Sequence, residues 1–130
     1  MIDKVSTVCV FVSDQERAKA FYTDVLGFEL RGDNPLYPGA QARWLAVAPQ
    51  GAETEIILYL PDENWEHYQQ VVGKSQAVTL NVTDMESLVA TLKSKGVTFI
   101  QVPDPQPWGT YAMIRDSEGN GLMLVEQPQI

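Results

Sequence analysis

The stretch VCVFVSDQE at residues 8–16 recurs as VTLNVTDME at residues 78–86. Each copy is an apolar, β-branched run followed by a Ser/Thr-x-x-Glu pattern, which is typical of a buried strand that leads into a capped helix. A second match, LGF at 26–28 with KGV at 95–97, places a glycine where each helix should end. The alternative is chance similarity between two generic strand–helix junctions. Order, caps and spacing agree, so the sequence predicts two similar modules.

The rest of the chain extends each copy with three more strand patterns. The predicted helices cover about 14–26 and 84–95, and loops rich in Gly and Pro lie at 32–42 and 103–107. We therefore predict an α+β fold of two βαβββ modules in one domain, 1–130. Module 1 covers about 1–61, the connector 62–75 and module 2 about 76–130. The predicted strands are 5–12, 28–30, 43–48, 55–60, 77–82, 97–100, 111–115 and 122–126.

Composition narrows the class of protein. The 130 residues are 45% hydrophobic and 20% charged, which suits one globular domain. The formal net charge of −8 and the absence of any basic run argue against binding to nucleic acid or to an anionic membrane surface. No apolar run reaches the roughly 20 residues of a membrane span, and no secretory signal pattern opens the sequence. With Cys9 as the single cysteine, a cytoplasmic protein is expected.

Two motifs carry a family resemblance. The first helix follows Asp14 and ends in FYTDVLGF at 21–28, and DSEGN at 116–120 precedes the last strand. Both resemble the glyoxalase/bleomycin resistance protein/dioxygenase superfamily, also called the vicinal oxygen chelate superfamily, over nearly the whole chain. The resemblance implies curled mixed sheets that form a cleft. It also implies a homodimer, in which paired modules complete the clefts.

In metal-dependent members, a His or Gln near the start of each module and a Glu on a late strand bind a divalent ion. The matching positions here are Thr7, Ala77 and Met123, and strand 56–58 contains no acid. Divalent first-row metals need imidazole, carboxylate or thiolate donors. The sequence therefore predicts no metal and no other cofactor at the usual site.

Strand alternation, together with the loops next to the strands, selects the candidate residues of a ligand-binding cleft. The alternative is that these side chains fill the interior of a closed barrel and line no ligand site. Three candidates also have a purely structural alternative. Arg43 could be a strand-edge residue packed over Trp44, and Trp108 could cover the core as a lid. Cys9 is better explained as an inert strand residue than as a nucleophile. The candidates are Thr7, Cys9, Phe11, Arg43, Trp44, Thr79, Asn81, Trp108 and Met123.

Two functions remain open at this point. The first is a protein of the bleomycin-resistance type that binds a small molecule in its cleft without a metal. The second is a metal-dependent lyase, isomerase or dioxygenase of the glyoxalase type, with atypical ligands taken from Glu55, Glu126 and His67. Whether the chain is an enzyme depends on which of these two functions is correct. Binding of one metal ion per chain would favour the second function over the first.

Overall fold

The computed structural model describes residues 1–62, 66–75 and 78–128. Helix α1 runs on into a π-helical turn over Phe21–Val25. The strands and helices, in chain order, are β1 Thr7–Phe11, α1 Gln15–Ala20, β2 Glu29–Pro35, β3 Arg43–Ala48, β4 Glu55–Tyr59, α2 Glu66–Gln69, β5 Val78–Asn81, α3 Met85–Ser94, β6 Phe99–Gln106, β7 Gly109–Arg115 and β8 Gly121–Glu126.

The two sheets have the same plan. Their strand orders are β1-β4-β3-β2 and β5-β8-β7-β6. In each sheet the first strand is parallel to the last, and the other pairings are antiparallel. The predicted α+β fold of two βαβββ modules is confirmed. The sheets stay open and separate, so these strands form no closed barrel within the described ranges.

Two strands are longer than predicted. β2 continues through Pro35 and β6 through Pro105, where the sequence indicated loops. Both are edge strands, in which a proline costs no ladder hydrogen bond if its nitrogen faces outward. Register shifts between Leu30 and Gly32 and between Phe99 and Asp104 bend these strands locally.

One core is shared by both modules. Val10, Leu45 and Leu58 from the first sheet and Ile114 and Leu124 from the second belong to a single buried cluster. Helix α1 with its π-helical turn and helix α3 also contribute to it, since the cluster contains Ala18, Tyr22, Met85, Val89 and Leu92. Side chains alternate along a strand, so the opposite side of each sheet faces away from this core. We call that side the outer face of each sheet.

A hydrogen-bond network centred on Asp116 joins the modules on one side. Asp116 is 6% exposed. Its Oδ2 accepts from Tyr22 Oη at 2.7 Å, and its Oδ1 accepts from the backbone N–H groups of Glu118 and Asn120. Asn120 Nδ2 donates to the Phe11 carbonyl at 3.2 Å. Burial, and then the Asp116 carboxylate, raise the pKa of Tyr22 well above its ordinary value, so the phenol stays a donor.

No helix in the described part of the chain combines the length and apolar character that a membrane span requires.

Candidate functional site

The outer face of the first sheet carries Thr7, Cys9 and Phe11 from β1. In the parallel register these lie beside Glu55, Ile57 and Tyr59 of β4. The Phe11 ring stacks on Tyr68 from α2, with 4.9 Å between centroids and 24° between planes, and Tyr59 lies edge-on at 6.1 Å. A hollow of about 360 Å³ between β1 and the connector is lined by Cys9, Phe11, His67, Tyr68, Val71, Lys74 and Ser75. The three predicted β1 residues therefore share one face.

Cys9 lies at the edge of this hollow as a free thiol. Burial of the sulfur raises the pKa of the Cys9 thiol, which keeps it protonated at neutral pH. Reactive cysteines have lowered pKa values instead. The thiol is accessible but not activated as a nucleophile.

The outer face of the second sheet carries Thr79 and Met123 next to each other in the β5–β8 register, with Asn81 beside Val125. Ala112 and Ile114 of β7 point into the shared core, so Tyr111 and Met113 point outward. Met113 pairs with Met123 across β7 and β8. The sequence reasoning missed Tyr111 and Met113. The alternation along β7 was the signal that could have identified them.

Trp108 joins this second face through Tyr111. Their ring centroids are 5.4 Å apart, with 33° between planes. Trp108 is 49% exposed, so it does not cover the core as a lid. Thr79, Asn81, Met123 and Trp108 therefore lie on one outer face, with the two residues that the sequence reasoning missed.

The structure does not bring Arg43 to the outer face with Trp44. Leu45 and Val47 point into the shared core, and Arg43 has the same parity, so its side chain lies beside α1. Arg43 Nε is 2.8 Å from Asp33 Oδ1, and Arg43 Nη2 is 2.9 Å from Glu16 Oε1. Trp44, which is 41% exposed, faces outward, away from Arg43.

The ion-pair cluster around Arg43 makes stability depend on pH. A hydrogen bond from Lys19, and then the Arg43 guanidinium, hold the pKa of Asp33 below its ordinary value against the opposing effect of burial. Lys19 Nζ lies 2.9 Å from Asp33 Oδ2. A carboxyl group with a lowered folded-state pKa stabilises the protein above its unfolded-state pKa and stops doing so once the pH falls through the folded-state value.

We expect Asp33→Asn to be less stable than the unmodified protein at pH 7. The difference in unfolding free energy should shrink below about pH 4, where unfolded carboxylates begin to bind protons. Urea unfolding followed by circular dichroism between pH 7 and pH 3 measures this. Asp3→Asn, at an exposed position, is the control. A difference that stays constant over this range would contradict the assignment.

The donors that remain do not fit the divalent ion implied by the sequence resemblance. Glu55 Oε2 lies 3.4 Å from Arg31 Nη1, and Glu126 Oε2 accepts from the Met85 N–H at the start of α3. His67 is on α2 and packs edge-on against Tyr68. Within 1–62, 66–75 and 78–128, no group of three His, Cys, Asp or Glu residues could hold a metal ion. Ala77, one of the four positions predicted to lack a ligand, lies outside these ranges.

Comparison with known proteins places this geometry in context. A model of the Glyoxalase/Bleomycin resistance protein/Dioxygenase superfamily matches residues 4–124. The uncharacterized protein YetH of Bacillus subtilis (strain 168) is 35% identical over 97% of this chain and 100% of its own length.

Solved structures agree with that match. TnmS3, an antibiotic binding protein from Streptomyces sp. CB03234, is 36% identical with a TM-score of 0.83 and covers 98% of both chains. A superfamily member from Sphaerobacter thermophilus DSM 20745 is 35% identical with a TM-score of 0.82, over 97% of this chain and 98% of its own.

Proposed function

Because the chain belongs to the Glyoxalase/Bleomycin resistance protein/Dioxygenase superfamily, we propose that it binds a small planar molecule on the outer faces of its sheets without a divalent metal. The observation that carries this proposal is the group of sulfur-containing and aromatic side chains away from the core on the second sheet, namely Tyr111, Met113, Met123 and Trp108. Accessible apolar side chains beside a few polar ones are typical of ligand sites. Thr79 and Asn81 supply the polar groups.

The class of ligand follows from these side chains. Aromatic rings and thioethers offer stacking and polarizable contacts to a flat molecule. The chain has a formal net charge of −8, which attracts cations and repels anions. A neutral or cationic planar compound therefore fits best. The likeness to TnmS3, an antibiotic binding protein, supports a small-molecule ligand.

A metal-dependent reaction is the weaker candidate for this chain. The two acids nearest the usual ligand positions are engaged elsewhere, Glu55 by Arg31 and Glu126 by the first turn of α3. Replacing those contacts with metal bonds would break an ion pair and take away the acceptor of the first N–H group of α3. Binding of the planar ligand is therefore proposed to proceed equally well in the presence of a chelator.

A homodimer in the cytoplasm is part of the proposal. Helices α1 and α3 and the shared core occupy one side of both sheets, whereas α2 lies on the outer face of the first sheet, where Tyr68 stacks on Phe11. Each outer face is proposed to form one wall of a cleft whose opposite wall comes from a partner. A second copy related by a two-fold axis supplies that wall if the first sheet of one chain faces the second sheet of the other. A free Cys9 thiol is compatible with a reducing compartment.

Cys9 provides a direct test, because it is the one thiol of the chain and lies on an outer face. We expect metal-free bleomycin, or the planar cation ethidium, to slow alkylation of Cys9 by iodoacetamide. At ten times the Kd of the probe, the slowing should be roughly tenfold. The reaction is followed by mass spectrometry at pH 8, with and without EDTA.

Two relocated thiols make the test specific to a face. In a Cys9→Ser background, Thr79→Cys reports on the second outer face, and the exposed Lys93→Cys on α3 reports on a surface outside the cleft. Protection of positions 9 and 79 but not 93 supports the proposal. Equal slowing at all three positions, or no slowing at 9 and 79, would count against it. Protection lost in EDTA would favour the metal-dependent reading.

A further inference from the structure

The two modules meet at two junctions, which the internal repeat relates to each other. Equivalent positions at these junctions carry different side chains. The offset of 70 residues makes Leu92 the counterpart of Tyr22. Strand registers give the second correspondence. Val47 pairs with Ile56 in the first sheet and Ile114 with Leu122 in the second, so the residue two after Val47, Pro49, is the counterpart of Asp116.

At the first junction, an aromatic side chain bridges the two modules. Tyr22 is fully buried, and its hydroxyl group reaches across the modules to Asp116 at 2.7 Å. Phe28 packs edge-on against this ring, with 5.7 Å between centroids. The interior here contains a phenol group and a hydrogen-bond acceptor made for it.

At the second junction, neither group is present. Leu92 is shorter than tyrosine and has no hydroxyl group, and Pro49 has no side-chain acceptor. A pocket of about 300 Å³ lies between them. Its apolar wall includes Phe28, Pro49, Leu80, Leu88, Leu92 and Leu124. An apolar cavity of about 150 Å³ is enough to bind benzene, so this pocket is large enough for one substituted ring.

The pocket is separate from the outer faces. Leu80 and Leu124 belong to the core side of β5 and β8, whereas Thr79 and Met123 point the opposite way. Gln50 adds polar atoms to the lining, and Asp84 contributes a carboxylate. That carboxylate and the acidic chain disfavour an anionic ligand.

We propose that this inter-module pocket is a second binding site, which takes one small uncharged aromatic ring with a hydroxyl-type substituent. The ligand occupies the place that the Tyr22 side chain occupies in the other module. The repeat points to this occupant, because the phenol ring of Tyr22 bridges the modules at the equivalent junction. For a ring of this size, a Kd of roughly 0.1–1 mM is expected.

Phenol titrated into the full chain tests the proposal. In methyl-resolved NMR spectra we expect saturable shifts at Leu88, Leu92 and Leu124, with little change at the Met123 methyl. Failure of the outer-face proposal would not alter these shifts, so the two sites are tested independently.

Filling the pocket should abolish the binding. Leu92→Phe adds a ring inside it and is expected to weaken phenol affinity at least tenfold while raising Tm. If Leu92→Phe does not fold, Leu88→Trp serves the same purpose from the half-buried wall. The matched control, Thr91→Phe, adds the same ring one residue away at an exposed position and should bind phenol normally. No saturable shift at 10 mM phenol, shifts centred on Met113 and Met123, or normal binding by a folded filled variant would overturn the proposal.

Discussion

Asp116→Ala should lower the free energy of unfolding by roughly 3–5 kcal/mol, the largest effect of any carboxylate among the residues that the structure describes. The side chain accepts four hydrogen bonds from an almost fully buried position, and one of the donors is the buried Tyr22 hydroxyl group. Alanine leaves these donors without an acceptor where water has little access. A buried donor without a partner costs about 1–3 kcal/mol.

Urea unfolding followed by tryptophan fluorescence measures the loss. Two controls define it. Tyr22→Phe removes one donor and leaves Asp116 with three, so its cost should be about 1 kcal/mol. Asp3→Ala removes an exposed carboxylate and should change stability by no more than about 0.5 kcal/mol. If Asp116→Ala is as mild as Tyr22→Phe, the network does not act as the joint between the modules.

The second large effect is expected at Gly109, the first residue of β7. Its φ of +141° disfavours any side chain. A Cβ atom there would also lie 2.6 Å from the backbone oxygen of Glu126. Because this neighbour is backbone, β8 must shift to make room. We expect Gly109→Ala to lose roughly 3 kcal/mol of unfolding free energy.

Gly39→Ala is the matched control. Gly39 also has positive φ, at +82°, but nothing lies within 4 Å of its Cβ position. It should lose only about 1–2 kcal/mol, the usual cost of a left-handed residue. Hydrogen exchange gives a second measurement, because Glu126 accepts from the Met85 N–H at the start of α3. The Met85 amide should exchange faster in Gly109→Ala than in Gly39→Ala, and equal rates would contradict the coupling.

The two-module architecture could be predicted because each copy of the sequence repeat corresponds to one module. Strand patterns, helix-capping residues and terminal glycines are local signals. The observed N-caps are Asp14 and Asp84, which accept from the N–H three residues later and lie one residue after the Ser or Thr of the capping pattern. The extensions of β2 and β6 could not be predicted, because tolerance of Pro35 and Pro105 depends on being at a sheet edge, which is a property of the whole sheet.

The candidate site was partly predictable for the same reason. Side chains alternate along a strand, so the sequence shows which residues share a face of the sheet. This was enough to group Thr7 with Cys9 and Thr79 with Asn81. Arg43 was chosen for its chemistry, although its parity with Leu45 indicated the helix side. The partners that occupy Glu55 and Glu126 come from distant parts of the chain, and a single sequence carries no record of such pairs.

The network around Asp116 can form only after most of the chain has been synthesised. The hydrogen bond from Asn120 to the Phe11 carbonyl spans 109 residues, and the bond from Tyr22 to Asp116 spans 94. A chain that emerges N-terminus first therefore exposes the Tyr22 ring until residues 116–120 have been made. Contacts of such long range form slowly, and unfinished apolar surface aggregates. Ribosome-bound chains that stop before residue 116 should accordingly depend on chaperones to stay dispersed.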